Sequence, residues 1–224
     1  MTDAPGPAHG DPYRPPPDAG LALVHADADL LVLAKPAGLL CAPGRGDDKQ
    51  DCLLARLRRR HPEALLVHRL DMDTSGLMVF ARHAAAHAAL SEAFRARRVD
   101  KGYEARVHGT PEASEGEIAL PLAADWPNRP RQGVDLVRGK PSLTRWRLLQ
   151  AGAVARLELA PVTGRSHQQR VHLAAIGHPI VGDPLYGRAE RDAGVPRMML
   201  HACRLAFPHP ADGRPLAFAH PVPF

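Results

Sequence analysis

The sequence predicts an α+β fold built on a mixed, mainly antiparallel sheet flanked by helices and loops. Strand-like apolar runs outnumber helical periods, and many of them are joined too closely for parallel crossovers. No internal repeat or second composition block divides the chain after residue 20. Residues 1–19 carry six prolines and almost no large aliphatic side chains, and are read as a flexible leader. Residues 20–224 are read as one domain.

Each element has a local reason. Leu21–Val24 and Leu30–Leu33 flank a His25-Ala-Asp-Ala-Asp29 turn, the pattern of a hairpin. Lys35-Pro36-Ala37-Gly38 ends its second strand, because proline has no N–H for the ladder. Residues 49–60 read as a helix, with Leu53, Leu54 and Leu57 on one face and Arg56, Arg58, Arg59 and Arg60 around the other. Leu65-Leu66-Val67 and Gly76–Ala81 read as strands around a polar loop. Residues 84–98 give the clearest helix, with Leu90, Ala93 and Phe94 in phase. Strands follow near 103–108, 142–149 and 153–160, then a helix near 166–176 closed by Gly177, and a strand near 198–207. The stretch 122–140 reads as an irregular basic loop, and the end of the chain as a proline-rich tail.

Composition narrows the function. Of 224 residues, 29 are Lys or Arg and 24 Asp or Glu, a formal charge of +5. A basic balance favours a polyanionic partner. The basic residues are 25 Arg and 4 Lys, which a GC-rich genome alone produces, so arginine excess is not itself evidence for nucleic acid. Ten aromatics are too few for a broad base-stacking platform. No apolar run reaches the roughly 18 residues of a membrane span, and the N-terminus lacks a signal-peptide pattern. Three cysteines, Cys41, Cys52 and Cys203, have no metal-ligand spacing and suit a reducing interior. A cytoplasmic, soluble monomer is expected.

Familiar sites are missing. There is no G-x-S-x-G, the Gly133…Gly139-Lys140 stretch lacks Walker spacing, and Gly44-Arg45-Gly46 lacks a third glycine. The pairs His83/His87 and His167/His172 have no third ligand at helical spacing, so no metal is expected. Two clusters remain. His68-Arg69-Leu70-Asp71-Met72-Asp73-Thr74-Ser75-Gly76 gathers polar side chains between two apolar strands. Asp73, Thr74 and Ser75 suit local backbone capping, whereas Asp71 follows an apolar residue and sits beside Arg69. In Gly164-Arg165-Ser166-His167-Gln168-Gln169-Arg170-Val171-His172, Ser166 is the expected N-cap. Arg170 has apolar neighbours in Val171 and Ala174, so it wants a buried anion, and Asp71 is the candidate.

These motifs, with Lys101-x-Tyr103-x-Ala105-x-Val107-x-Gly109 and Gly177-His-Pro-Ile180-x-Gly-Asp183-x-x-Tyr186-Gly187, resemble in content and order the RluA family of pseudouridine synthases. The resemblance covers about residues 21–207. Gly38–Gly44, Asp125–Pro130 and Gly139–Pro141 are similar to its smallest members, which lack a separate N-terminal RNA-binding domain. One departure is Gln169, where the family usually has Ile or Leu.

The resemblance implies isomerisation of uridine in RNA with no cofactor: the N1–C1′ bond breaks, uracil rotates, and C5 joins C1′. It makes Asp71, Tyr103 and Arg170 catalytic. Asp71 acts at C1′ or assists loss of the C2′ proton, Arg170 holds Asp71 ionised, and Tyr103 packs on uracil. The target base must leave its stack. Arg69 is placed to fill the vacated space, and His68, Arg165, Arg129 and Arg131 to bind RNA, with the 95–98 arginines. Expected substrates are a tRNA anticodon stem-loop, at its first loop uridine, and a 23S rRNA hairpin. The alternatives are a member specific for one RNA class, a hydrolytic N-glycosylase, and a non-catalytic RNA-binding module.

Overall fold

The computed structural model describes residues 13–224. Its main sheet begins with the hairpin β1 (Ala22–Ala26) and β2 (Leu30–Lys35). Then come helix α1 (Leu53–Arg58), the short β3 (Leu65–Leu66), β4 (Ser75–Ala81) and helix α2 (Ala84–Arg95). The second half holds β5 (Asp100–His108), β6 (Glu115–Ile118), β7 (Leu122–Ala124), β8 (Gln132–Val134), β9 (Thr144–Gln150) and β10 (Val154–Pro161). Helix α3 (Gln168–Ala175), β11 (Leu200–Pro208) and β12 (Pro215–Ala219) complete the order. The strands of the main sheet run β1-β2-β4-β11-β5-β10-β9-β6, with β12 on β11 and β3 on β4. Only β4 against β11 is parallel, so the sheet is mixed and mainly antiparallel as expected.

Two of the strands, β2 and β4, explain their own sequence. In β2 and β4 every residue is buried, because both faces are covered. Leu30, Val32, Leu77 and Val79 pack with Leu90 and Ala93 of α2. Leu31, Leu33, Met78 and Phe80 pack with Leu53 and Leu57 of α1. Near-continuous apolar runs are what two-sided burial demands. A separate core under β5, β10 and β11 joins Tyr103, Leu157 and Leu200 to Leu173 of α3.

Several expectations are corrected. Residues 1–12 of the leader lie outside the described residues, but 13–19 are tied to the domain rather than free. The Tyr13 hydroxyl donates to Asp51 O (3.0 Å) and accepts the Leu40 N–H (3.1 Å). Arg56, read as solvated, is buried; its guanidinium bridges Asp51 (2.7 Å) and Pro16 O (2.7 Å). The segment 122–140 contains the hairpin β7–β8, and the tail contains β12, whose alternating Leu216 and Phe218 pack on the core. The helices are shorter than their apolar period: α2 stops at Arg95, after which Arg97 takes a left-handed φ of 56°.

Gly76 opens β4 at φ 117°, where it pairs with Ala202 of β11. A Cβ there would lie against Ala202 O and N, inside van der Waals distance. Gly76→Ala is therefore expected to lower stability by about 2 kcal/mol or more. It should push the Asp71 loop off β11, read as a fall in the urea midpoint together with lost turnover.

Candidate active site

The polar loop before β4 is held by backbone bonds from two buried side chains and a half-buried one. The Lys35 ammonium, 1 % exposed, donates to Pro36 O (2.9 Å), Leu39 O (2.7 Å) and Met72 O (2.7 Å). The Cys41 thiol accepts the Leu70 N–H (3.3 Å) and donates to Leu70 O (3.1 Å). His68 Nε2 accepts the Val79 N–H (3.1 Å) while its ring stacks on Phe94 at 4.6 Å. Asp71 is thus presented from a loop with little freedom of its own. Ser75 does not cap locally as expected; its hydroxyl meets His201 Nδ1 (2.7 Å) and Arg197 (2.5 Å) across the sheet.

Burial pulls the Lys35 ammonium down to about 8, against the attraction of Cys41, Asp73 and Asp71. A depressed lysine pKa means that the unfolded chain binds more protons than the folded one between pH 8 and about 10.5. Stability from this group therefore rises with pH across that window. Relative to Lys35→Met, wild type is expected to gain up to about 3 kcal/mol between pH 8 and 10.5, measured by urea melts at each pH.

Arg170 is 2 % exposed and does find a buried anion, but its closer partner is Asp183. Nε and Nη2 reach the two Asp183 oxygens at 2.7 Å each, and Nη1 lies 3.5 Å from Asp71 Oδ2. Burial opposes the Arg170 charge, yet Asp183, Asp71 and Asp73 outweigh it and hold the guanidinium protonated. Asp183 also accepts the Leu185 and Tyr186 N–H groups, which fixes its orientation. Sequence reasoning did not single out Asp183 for a role; the available signal was a buried arginine needing two oxygens and an Asp in the Gly-Asp-Pro turn between α3 and β11.

The start of α3 differs from expectation as well. Ser166 is not its N-cap: His167 holds that place in a left-handed conformation, φ 55°, with no side-chain cap. Gln168, the first helical residue, ties down the turn before the helix instead: its Oε1 accepts Thr163 Oγ1–H (2.7 Å) and the Arg165 N–H (3.0 Å). Tyr186 links this turn to the basic loop. Its hydroxyl accepts the Gln132 N–H (2.7 Å) and donates to His167 Nδ1 (2.8 Å). Its ring lies 5.2 Å from the Arg170 guanidinium and 5.3 Å from that of Arg131.

Asp71, Tyr103 and the start of α3 surround one cavity of about 300 Å³, with His68, Arg69, Thr74, Lys101, Arg165 and Gln169 in its wall. That volume suits one nucleotide. Tyr103 reaches it from the middle of the sheet, where it pairs with Ala202 of β11. Burial, reinforced by Asp71, raises the Tyr103 phenol. Phe94, Lys101 and Arg165 continue into a groove of about 910 Å³ that also holds Arg95, Arg97, Arg145 and Arg204. Arg69 and Arg165 are exposed at the mouth, whereas His68 has its Nε2 engaged by the chain itself and serves the loop. Arg129 stacks on the exposed Trp126, and neither Arg129 nor Arg131 lines the cavity; they lie on the β7–β8 side, joined to it through Tyr186.

At the opposite end of β2, Asp27, Asp29 and His209 bring ligand atoms within 4.8 Å of one another. There His25 and His209 hydrogen-bond Asp27 (2.8 and 3.2 Å), and His83 bonds Asp29 (2.9 Å). His–Asp pairing satisfies these groups. Among the described residues, no helix is long and apolar enough to cross a membrane.

The chain is similar to known proteins. The family described as RNA pseudouridylate synthase matches residues 29–175. The dual-specificity RNA pseudouridine synthase RluA of Escherichia coli K12 is 45% identical over 214 residues, covering 95% of this chain and 98% of that protein. Its namesake from Vibrio vulnificus is 47% identical over 204 residues, covering 88% and 82%. The structure of human RNA Pseudouridylate Synthase Domain Containing 1 superposes with a TM-score of 0.78 at 32% identity, covering 94% of this chain and 87% of its own. With a family model matching most of its length and relatives 45–47% identical over nearly all of it, the chain belongs to the RNA pseudouridylate synthase family, whose members isomerise uridine to pseudouridine.

Proposed function

We propose that this enzyme isomerises uridine in stem-loops of two RNA classes, the first loop uridine of a tRNA anticodon arm and a hairpin uridine of 23S rRNA. The observation that carries the chemistry is the Asp71–Arg170 pair at the cavity that Tyr103 lines. Similarity over nearly the whole chain to proteins named dual-specificity supports the choice of RNAs.

Asp71 is the group that acts on the ribose. Its carboxylate either attacks C1′ as N1 leaves or takes the C2′ proton; in both routes Arg170 keeps it ionised and aimed. Uracil then turns within the cavity and C5 bonds to C1′, either displacing the Asp71 carboxylate from C1′ or with return of the proton from Asp71 to C2′; the C5 proton is then lost and N1 ends protonated. The raised Tyr103 phenol stays protonated at neutral pH, so its contribution is a ring face against the base rather than a phenolate. Arg69, next to Asp71 and exposed, fills the stack that the flipped base leaves. Arg165 and the arginines of the adjoining groove hold phosphates, and Arg129 and Arg131 extend that hold along the β7–β8 hairpin. The chain acts as a monomer in the cytoplasm.

Tritium release from C5-labelled uridine, run on an anticodon stem-loop and on a 23S hairpin, tests this reading. Release from both supports two RNA classes, and release from one only restricts the enzyme to that class. Free uracil among the products would mean hydrolysis instead.

A further inference from the structure

Lys101 stands two residues before Tyr103 on β5, so both side chains leave the same face of the strand. It lines the cavity that holds Asp71 and also the larger groove, at the wall where the two meet. The buried Lys35 ammonium donates to three carbonyls. Lys101, half-buried, has no hydrogen bond or ion pair among the described residues. Burial and the Arg97 charge both pull its ammonium below the ordinary lysine range, and no carboxylate offsets them. Yet the atom is not sealed. Among the described residues, Gln169 Nε2 alone is both fully buried and unpaired, so the unpaired Lys101 Nζ keeps accessible surface. Gly164 beside it adds no side chain to cover it: Nζ lies 3.8 Å from where a Cβ on that glycine would stand.

A part-buried ammonium without an anion is costly, and the cost is recovered when an anion arrives. The protein does not supply one. Asp71 in the cavity lies against Arg170, and Asp100 in the groove exerts no pull on Lys101. The other charges of the groove wall are Arg95, Arg97, Arg145, Arg165 and Arg204. A nucleotide whose base fills the cavity carries a phosphate on either side, and its strand must pass the wall where cavity and groove meet. We propose that Lys101 is a substrate-positioning residue that grips a backbone phosphate adjoining the flipped uridine as the RNA strand passes from groove to cavity. A compact ammonium suits a phosphate as a point charge. With the base held in the cavity and the phosphate at its mouth, the ribose between them is fixed with C1′ toward Asp71. This inference rests on the pseudouridylation reading above.

The test uses the full chain as wild type, Lys101→Met and Lys101→Arg, with melting temperature measured for each. On an unmodified anticodon hairpin, Lys101→Met is expected to lose about tenfold in kcat/KM. Its melting temperature should equal or exceed wild type, because an unpaired part-buried charge has gone. Affinity is then measured by fluorescence anisotropy on hairpins in which the phosphate 5′ or 3′ of the target is an uncharged methylphosphonate. The 2′-oxygen before that linkage is methylated for stability, and a matched phosphate hairpin carries the same methyl group. Removing the charge at the gripped phosphate should weaken wild type and Lys101→Arg by about tenfold, and Lys101→Met hardly at all. The position that shows the difference identifies the phosphate. An equal methylphosphonate penalty in wild type and Lys101→Met at both positions overturns the inference, whatever the rate of the variant. No turnover of any unmodified hairpin by wild type overturns the reading of function, and this inference with it.

Discussion

Asp71→Asn is expected to abolish tritium release from an anticodon stem-loop, a loss of about 10⁴-fold or more, while leaving RNA binding within a few fold. The amide is nearly the same size as the carboxylate, so the cavity keeps its shape. What it lacks is the lone-pair basicity needed at C1′ or C2′. Asp71 is one-quarter exposed and sits 3.5 Å from a guanidinium whose main partner is Asp183. Its removal therefore leaves Arg170 paired, and the fold intact. Filter binding at two salt concentrations separates the outcomes: unchanged affinity with no turnover assigns Asp71 to chemistry, whereas turnover near wild type would remove it from the mechanism.

Asp183→Asn is the converse case. Here the carboxylate is fully buried, and takes both guanidinium bonds of Arg170 along with two backbone N–H groups. An amide can accept at one oxygen only and presents an N–H to a cation. Breaking one side of such a pair costs about 3–5 kcal/mol. Because Arg170 is then left without its anchor, it is expected to shift toward Asp71. The variant should show a lower urea midpoint and a reduced kcat, with KM for the hairpin changed little. A stable variant of normal kcat would show that Asp71 does not depend on this anchor.

The sequence and the structure agree best where one local rule acts alone. The β1–β2 hairpin, β4, β5, β9, β10 and β11 follow from apolar runs and turn residues, and Gly177 ends α3 at φ 85°. Asp71, Tyr103 and Arg170 reach one place because their motifs do. The misses have a common cause in contacts between segments distant in sequence. Arg56 looks solvated by helical phase, and it is Pro16 O, 40 residues earlier, together with the nearby Asp51, that makes it a buried anchor. Ser166 satisfies every local rule for a cap, yet the helix starts one residue later, at His167 in a left-handed turn that Gln168 braces through Thr163 and Leu143. The β7–β8 hairpin hides in a basic, glycine- and proline-rich stretch whose pairing is only three residues long. Asp183 was visible as part of a motif, but its grip on Arg170 belongs to the folded chain.

The one parallel pairing in the sheet has a consequence for how the protein comes into being. Ser75 and Gly76 dock on His201 and Ala202 of β11, and the Ser75–His201 contact spans 126 residues. Tyr103 is seated by the same strand, through Ala202. Contacts of such separation close late, and a chain leaving the ribosome cannot make them until its C-terminal segment emerges. An N-terminal fragment two hundred residues long therefore carries Asp71, Tyr103 and Arg170 yet lacks the strand that brings β4 and β5 together. The seats of Asp71 and Tyr103 are thus completed only once β11 has docked on both β4 and β5.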